Sequence, residues 1–215
     1  MKTERSRVAL SLFVFLAVGV AAAYAQGQIQ LPPPRTDGGK PLMQVLNERK
    51  SAREFSSEKL PLPTLSNLLW AAFGINRATG QRTAPSANNR QEIDVYVATA
   101  DGLYLYDGKA NQLKQILAED IRALCGTQAF VKDAPVNLIY VADLAKAGRT
   151  RSEDIEFYSG ANTAFIAQNV YLFCASEGLA TVVRANIDRS ALAKAMKLRT
   201  DQKIALSQTV GYPKK

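Results

Sequence analysis

The chain has 215 residues, with 27 Lys and Arg against 19 Asp and Glu, a formal charge of +8 and no histidine. Without histidine, Ser-His-Asp and Cys-His triads and zinc sites of the HExxH type are excluded, and no carboxylate pair stands out for glycosidase chemistry. The cations are scattered without aromatic interleaving or a nucleic-acid-binding module, so neither nucleic acid nor a metal is expected as a ligand. An enzyme of this composition would draw its chemistry from something other than its own side chains.

Lys2, Arg5 and Arg7 precede an apolar run over residues 8–23, and Ala23-Tyr24-Ala25 gives the small-x-small pattern of a cleavage site. That reads as a secretory signal peptide cut after Ala25. The run is shorter than the ~20 residues that span a bilayer. A periplasmic or secreted protein is expected, with no stable membrane insertion after cleavage. Residues 26–40, rich in Pro and Gly, read as an extended linker, and residues 41–215 as one domain.

In "KPLMQVLNERKS" Pro41 suits a first helical turn, and Leu42, Val45 and Leu46 share a face. "LPLPTLSNLLWAAFGI" predicts a second helix, with Thr64 as N-cap, Leu65, Leu68, Leu69 and Ala72 inward, and Gly74 at its stop. Residues 76–91 carry no apolar periodicity and form a long loop. "IDVYVATADGLYLYD" alternates with period two on either side of Ala100-Asp101-Gly102, a β-hairpin. "PVNLIYVAD" is a continuous apolar run and predicts a strand buried on both faces.

Asp154 then caps a long helix that Gly178 ends, with Phe157, Ala161, Ala164, Phe165, Gln168, Tyr171, Leu172 and Ala175 recurring at helical spacing on the expected inward face. "LATVV" is a short strand, "DRSALAKAMKL" a helix with Asp188 near its start, and "KIALSQTVGYP" a last strand. The order predicts an α+β fold, a central mixed or antiparallel sheet flanked by helices. Cys125 and Cys174 admit either one disulfide or two buried thiols.

The densest group of cations is in "NERKSAREF", where Arg49, Lys50 and Arg53 surround Ser51. Positions 49, 51 and 53 do not share a face of an ideal helix, yet in a chain leaving a helix they can converge. Arginine offers a fork for phosphate oxygens and serine a short donor. Taken alone, the group is more commonly just a charged surface.

The order of fragments adds to that reading. "RKSAREF", "LSNLLWAAFG", "RTAPSANNRQEIDVYV", "GLYLYDG", "APVNLIYVAD", "ANTAFIAQNVYLFCASEGLATVV" and "VGYP" together resemble the flavin-dependent nitroreductase family, in particular its compact branch of SagB-type dehydrogenases. The resemblance implies an intertwined homodimer with two FMN molecules in clefts between the subunits. Arg49 would bind the FMN phosphate, Lys50 and Ser51 would lie along the phosphate and ribityl chain, and Arg53 would approach the pyrimidine edge of the ring, where a positive charge stabilises the anionic reduced flavin. Pro85, Ser86, Ala87, Asn88 and Asn89 match the segment that the family contributes from the other subunit. Thr127 and Gln128 fall where the family places a polar contact.

Two departures are visible. Where the family carries Glu-Gly or Gly-Gly facing the flavin, this chain has Ala185 and Asn186, preceded by Arg184. Many members also place phosphate-binding cations well beyond "GYP", where this chain offers Lys214 and Lys215. The expected activity is FMN-dependent two-electron transfer between a donor, either NAD(P)H or a redox partner, and a small-molecule acceptor. The departures leave open a second class, a non-catalytic flavin- or phosphorylated-ligand-binding protein on the same fold.

Overall fold

The computed structural model describes residues 27–148 and 152–214; the expected signal peptide lies outside them. Seven strands form one sheet in the order β1-β4-β3-β2-β5-β7-β6. In chain order they are β1 (Gln28–Gln30), β2 (Ile93–Thr99), β3 (Gly102–Asp107), β4 (Gln112–Leu117), β5 (Val136–Asp143), β6 (Ala180–Arg184) and β7 (Gln202–Gly211). Five helices accompany them: α1 (Leu42–Glu48), α2 (Leu62–Phe73), α3 (Phe130–Asp133), α4 (Ser152–Glu177) and α5 (Arg189–Ala195). Every strand pair is antiparallel. Of the two expected sheet types, the antiparallel one is therefore present.

All eight residues of β5 are buried, because the strand sits mid-sheet with a helical layer on each face. Period two splits its side chains. Leu138 and Tyr140 join Leu68, Leu69, Ile166 and Val170 beneath α2 and α4. Ile139 and Val141 join Leu192, Met196 and Ile204 on the α5 side. The Tyr140 hydroxyl donates to Gln208 Oε1 at 2.6 Å across the strand pair, so the phenol is buried with its polar end satisfied.

Four expectations change. The segment read as linker is extended but paired: Gln28–Gln30 adds a strand beside β4, and Leu31 is buried in the core. Helix α2 starts one turn early, with Pro61 as N-cap and Pro63 inside its first turn, so Thr64 is helical and not the cap. β4 was not anticipated, since Leu113 is its one buried residue and the alternation is too weak to detect. The fourth change concerns α4.

Helix α4 buries Asn162, Thr163, Ile166, Ala167, Val170 and Cys174 at helical spacing, and leaves Phe157 72% and Phe165 46% exposed. The expected inward face is mostly the outer one, Tyr171 excepted. The sequence misleads because Ser159, Asn162 and Thr163 go inside while two phenylalanines stay out. Likewise α1 buries only Val45 and exposes Leu42 at 61% and Leu46 at 44%. Exposed apolar residues on two neighbouring helices are the kind of surface that a partner covers.

Both cysteines are unpaired and buried, which resolves the open alternative. Burial pushes the Cys125 thiol up to about 12 and Cys174 further still. A raised thiol pKa withholds the reactive thiolate. At about pH 8 a thiol reagent should therefore modify neither cysteine in the native protein and both in denaturant. For α4, Ile166→Ala should lower unfolding stability by about 2–5 kcal/mol, whereas Gln168→Ala should change it by less than about 0.5 kcal/mol; urea titration measures both.

Candidate functional site

The basic segment begins where α1 stops. Arg49 is the C-cap of α1, with φ −57° and ψ 123°, so the chain turns extended at the first cation of the group. It then runs beside β6, an edge strand whose outer N–H and C=O groups need partners. The Ala52 N–H donates to Thr181 O at 2.9 Å, Phe55 bridges to Pro213, and the Ser56 N–H donates to Tyr212 O at 2.9 Å.

Tyr171, reaching out of α4, organises this stretch. Its hydroxyl lies 2.8 Å from Ser51 Oγ and accepts the Val183 N–H of β6 at 3.0 Å. The Arg49 guanidinium sits 5.2 Å from the centre of its ring, a cation–π contact. Lys50 and Ala52 line a cavity of about 470 Å³ with Lys40, Thr181 and Pro213. Arg53 is exposed. Lys214 lines a neighbouring groove with Lys59 and Lys132, not the cavity that Lys50 lines; its N–H lies 3.4 Å from Glu54 O.

A second group forms at the C-terminal end of β6, one residue beyond the Val183 N–H that Tyr171 accepts. The Arg184 side chain is 6% exposed and donates to Cys125 O at 3.1 Å, Asn137 Oδ1 at 3.2 Å, Ser207 Oγ at 2.9 Å, and Thr209 Oγ1. Burial lowers its pKa to about 10, which still leaves it cationic near neutrality. Through Cys125 it draws Gly126, Thr127 and Gln128 against the end of β6, next to the exposed Ala185 and Asn186. Two sets of expected site residues, distant in sequence, thus meet around a side chain that was not among them.

Arg184 Nε and Gln128 Oε1 are buried without hydrogen-bond partners. Both flank Gly126, where an added Cβ would lie 2.8 Å from the first and 3.3 Å from the second. A cationic, hydroxyl-bearing stretch and a group with an orphaned donor and acceptor thus adjoin along β6. These residues fit a ligand with an anionic tail and a polar, hydrogen-bonding ring, as FMN has.

The third set lies apart. Ala87 N–H donates to Asn162 Oδ1 at 3.1 Å, and Asn162 Nδ2 donates to Glu92 Oε1 at 2.7 Å. Ser86 Oγ accepts the Gln91 N–H at 3.0 Å, while Pro85, Asn88 and Asn89 are exposed. Asn162 and Tyr171 are separated by nine residues of α4, about 13 Å along the axis and half a turn around it. One chain therefore does not bring residues 85–89 and Arg49–Ser51 to the same place.

The sequence model of the Nitroreductase family matches residues 46–212. The chain belongs to the nitroreductase family. A protein of Methanocaldococcus jannaschii classed as a nitroreductase is 34% identical over 151 residues, 66% of this chain and 76% of that one. A crystal structure of a Ralstonia eutropha JMP134 protein, also classed as a nitroreductase, superposes with a TM-score of 0.85 at 44% identity, covering 88% of this chain and 91% of the other. A Desulfovibrio desulfuricans nitroreductase crystallised with FMN shares the fold at a TM-score of 0.60 and 19% identity, over 83% of this chain and 89% of its own. This nitroreductase-family chain is accordingly an oxidoreductase.

Sequence reasoning missed Tyr171, Arg184 and the Glu92–Asn162 pair as parts of the site. Arg184 carried one signal: a lone cation closing an otherwise apolar strand, "ATVVR". Tyr171→Phe should strand the partly buried Val183 N–H and free Ser51. A loss of about 1 kcal/mol in denaturant unfolding is expected, the net worth of an ordinary hydrogen bond.

Proposed function

We propose that this nitroreductase-family protein is an exported, homodimeric, FMN-dependent oxidoreductase that passes two electrons between a donor and a small organic acceptor. The observation that carries this reading is the pair of polar groups set side by side along β6. Ser51 meets the Tyr171 hydroxyl, which accepts the Val183 N–H one residue before Arg184. Arg49, Lys50 and Ser51 hold the phosphate and the start of the ribityl chain. Gln128 and the backbone at Ala185 and Asn186 meet the ring, and Arg53 lies toward its pyrimidine edge.

The bound FMN would supply the redox chemistry, since its ring takes up two electrons and one proton, carries a negative charge when reduced, and returns the electrons to a second molecule. The chain's part is to orient and to exclude water, work that needs no histidine. Pro85, Ser86, Ala87 and Asn88 cover the cleft of the other subunit in this reading. Their separation from Arg49–Ser51 within one chain favours that arrangement. So does the exposed apolar surface of Leu42, Leu46, Phe157 and Phe165, of the character that a second copy buries.

Export rests on the pattern of residues 1–25. Outside the cytoplasm no pool of NAD(P)H is expected, which favours a redox partner, or the oxidisable substrate itself, as the donor.

The purified protein should be yellow, absorbing near ~450 nm as oxidised flavins do, and after photoreduction should reduce a nitroaromatic or a quinone faster than free FMN does. A bound but inert flavin would support the non-catalytic class; a colourless protein that ignores added FMN would overturn the reading. Arg49→Ala should weaken FMN binding by about 1.5–3 kcal/mol, roughly 10- to 150-fold, measured by flavin fluorescence quenching.

A further inference from the structure

Arg184 is a buried cation without an anion. Its four hydrogen bonds go to a carbonyl, an amide oxygen and two hydroxyls, and among the described residues no carboxylate pairs with it. The Phe130 ring lies 5.7 Å from its guanidinium carbon. Placing a charge in such surroundings is costly unless another charge answers it. Nε is the one nitrogen of the guanidinium group with no acceptor, and it lies beside the bare Cα of Gly126, next to Gln128 Oε1.

We propose that Arg184 is the fixed positive charge that stabilises the reduced, negatively charged state of the flavin; the inference rests on the flavin reading above. The resemblance gives that part to Arg53, but Arg53 is exposed. Arg184 is buried within its own chain, so its charge acts through an effective dielectric constant near ~20 whatever covers the site. Arg184 is also held by four atoms of the surrounding strands and loop, so its charge does not move away when the ring gains its own. Its neutral partners leave that charge uncompensated. Arg184 is a positioning and electrostatic residue: it acts on the ring from behind the Cys125–Gln128 segment and takes no part in bond making.

The test compares the binding of oxidised and reduced FMN, or equivalently the midpoint potential of the bound flavin against a reference dye without oxygen. R184M and R184Q remove the charge, R184K keeps it with different hydrogen bonds, and R53A removes the exposed cation. In R184M and R184Q the preference for reduced over oxidised flavin should fall at least about tenfold, which is about 30 mV for a two-electron couple. R184K should stay within about threefold of the parent, and R53A should shift less than R184M. Equal preference in the parent and both neutral variants overturns the proposal. So does a common shift in R184K and R184M, which would assign the effect to hydrogen bonding. Failure of both neutral variants to fold while R184K folds also overturns it, since the charge would then serve the apoprotein. A parent that binds no FMN sinks the functional reading itself, a result distinct from flavin bound with unaltered preference.

Discussion

An edge strand cannot be left with bare N–H and C=O groups, and in this protein the covering of β6 determines where the cations stand. Ala52 donates to Thr181 O, and Tyr171 accepts the Val183 N–H, so the chain leaving α1 is pinned to the strand at alternate residues. Arg49, Lys50 and Ser51 are then presented in a row, which a continued helix would have fanned apart. The C-terminal residues after β7 complete the clasp through the Phe55–Pro213 bridge. Backbone pairing, not mutual attraction, gathers like charges into a few residues.

The elements most legible in sequence are those whose apolar pattern meets a single environment. β5 reads as doubly buried and is; the β2–β3 hairpin, the inward row of α2 and its stop at Gly74 follow from local signals alone. Helix α4 resisted because it faces two environments. Its core side contains Asn162 and Thr163, made acceptable by partners distant in sequence such as Glu92, while Phe157 and Phe165 look like core and are not. Periodicity records polarity, not partnership. β1 was hidden for a related reason: three residues need only a neighbouring β4, itself too polar to be seen.

The site divides in the same way. Arg49, Lys50 and Ser51 form a contiguous stretch, and their convergence could be anticipated from a chain leaving a helix. Gln128 with Ala185 and Asn186 could be proposed only through resemblance, because what joins them is a set of long-range contacts made by Arg184 to Cys125, Asn137, Ser207 and Thr209. Lys214 was placed by resemblance too, and its side chain lines the adjacent groove. Where a residue's role depends on what the fold sets beside it, local sequence carries little of the information.

The loop over residues 85–91 shows how much structure a binding surface requires before its ligand arrives. Asn88, Asn89 and Gln91 all have φ 52°, a left-handed conformation that asparagine tolerates better than glutamine does. Such residues each cost on the order of 1–3 kcal/mol and persist only where their surroundings over-determine them. Here the surroundings are identifiable. Ser86 Oγ takes the Gln91 N–H, Gln91 holds Arg82, Gly80 O and Asn89, and Ala87 is tied through Asn162 to the buried Glu92. A flexible loop would pay its ordering entropy on contact with a second subunit or a ligand. This one is ordered from within its own chain, anchored to α4 at one end and to the start of β2 at the other. Its exposed Pro85 and Asn88 can therefore be offered to another molecule without further loss of freedom, and a long polar stretch that resembles a linker becomes a rigid part of the fold.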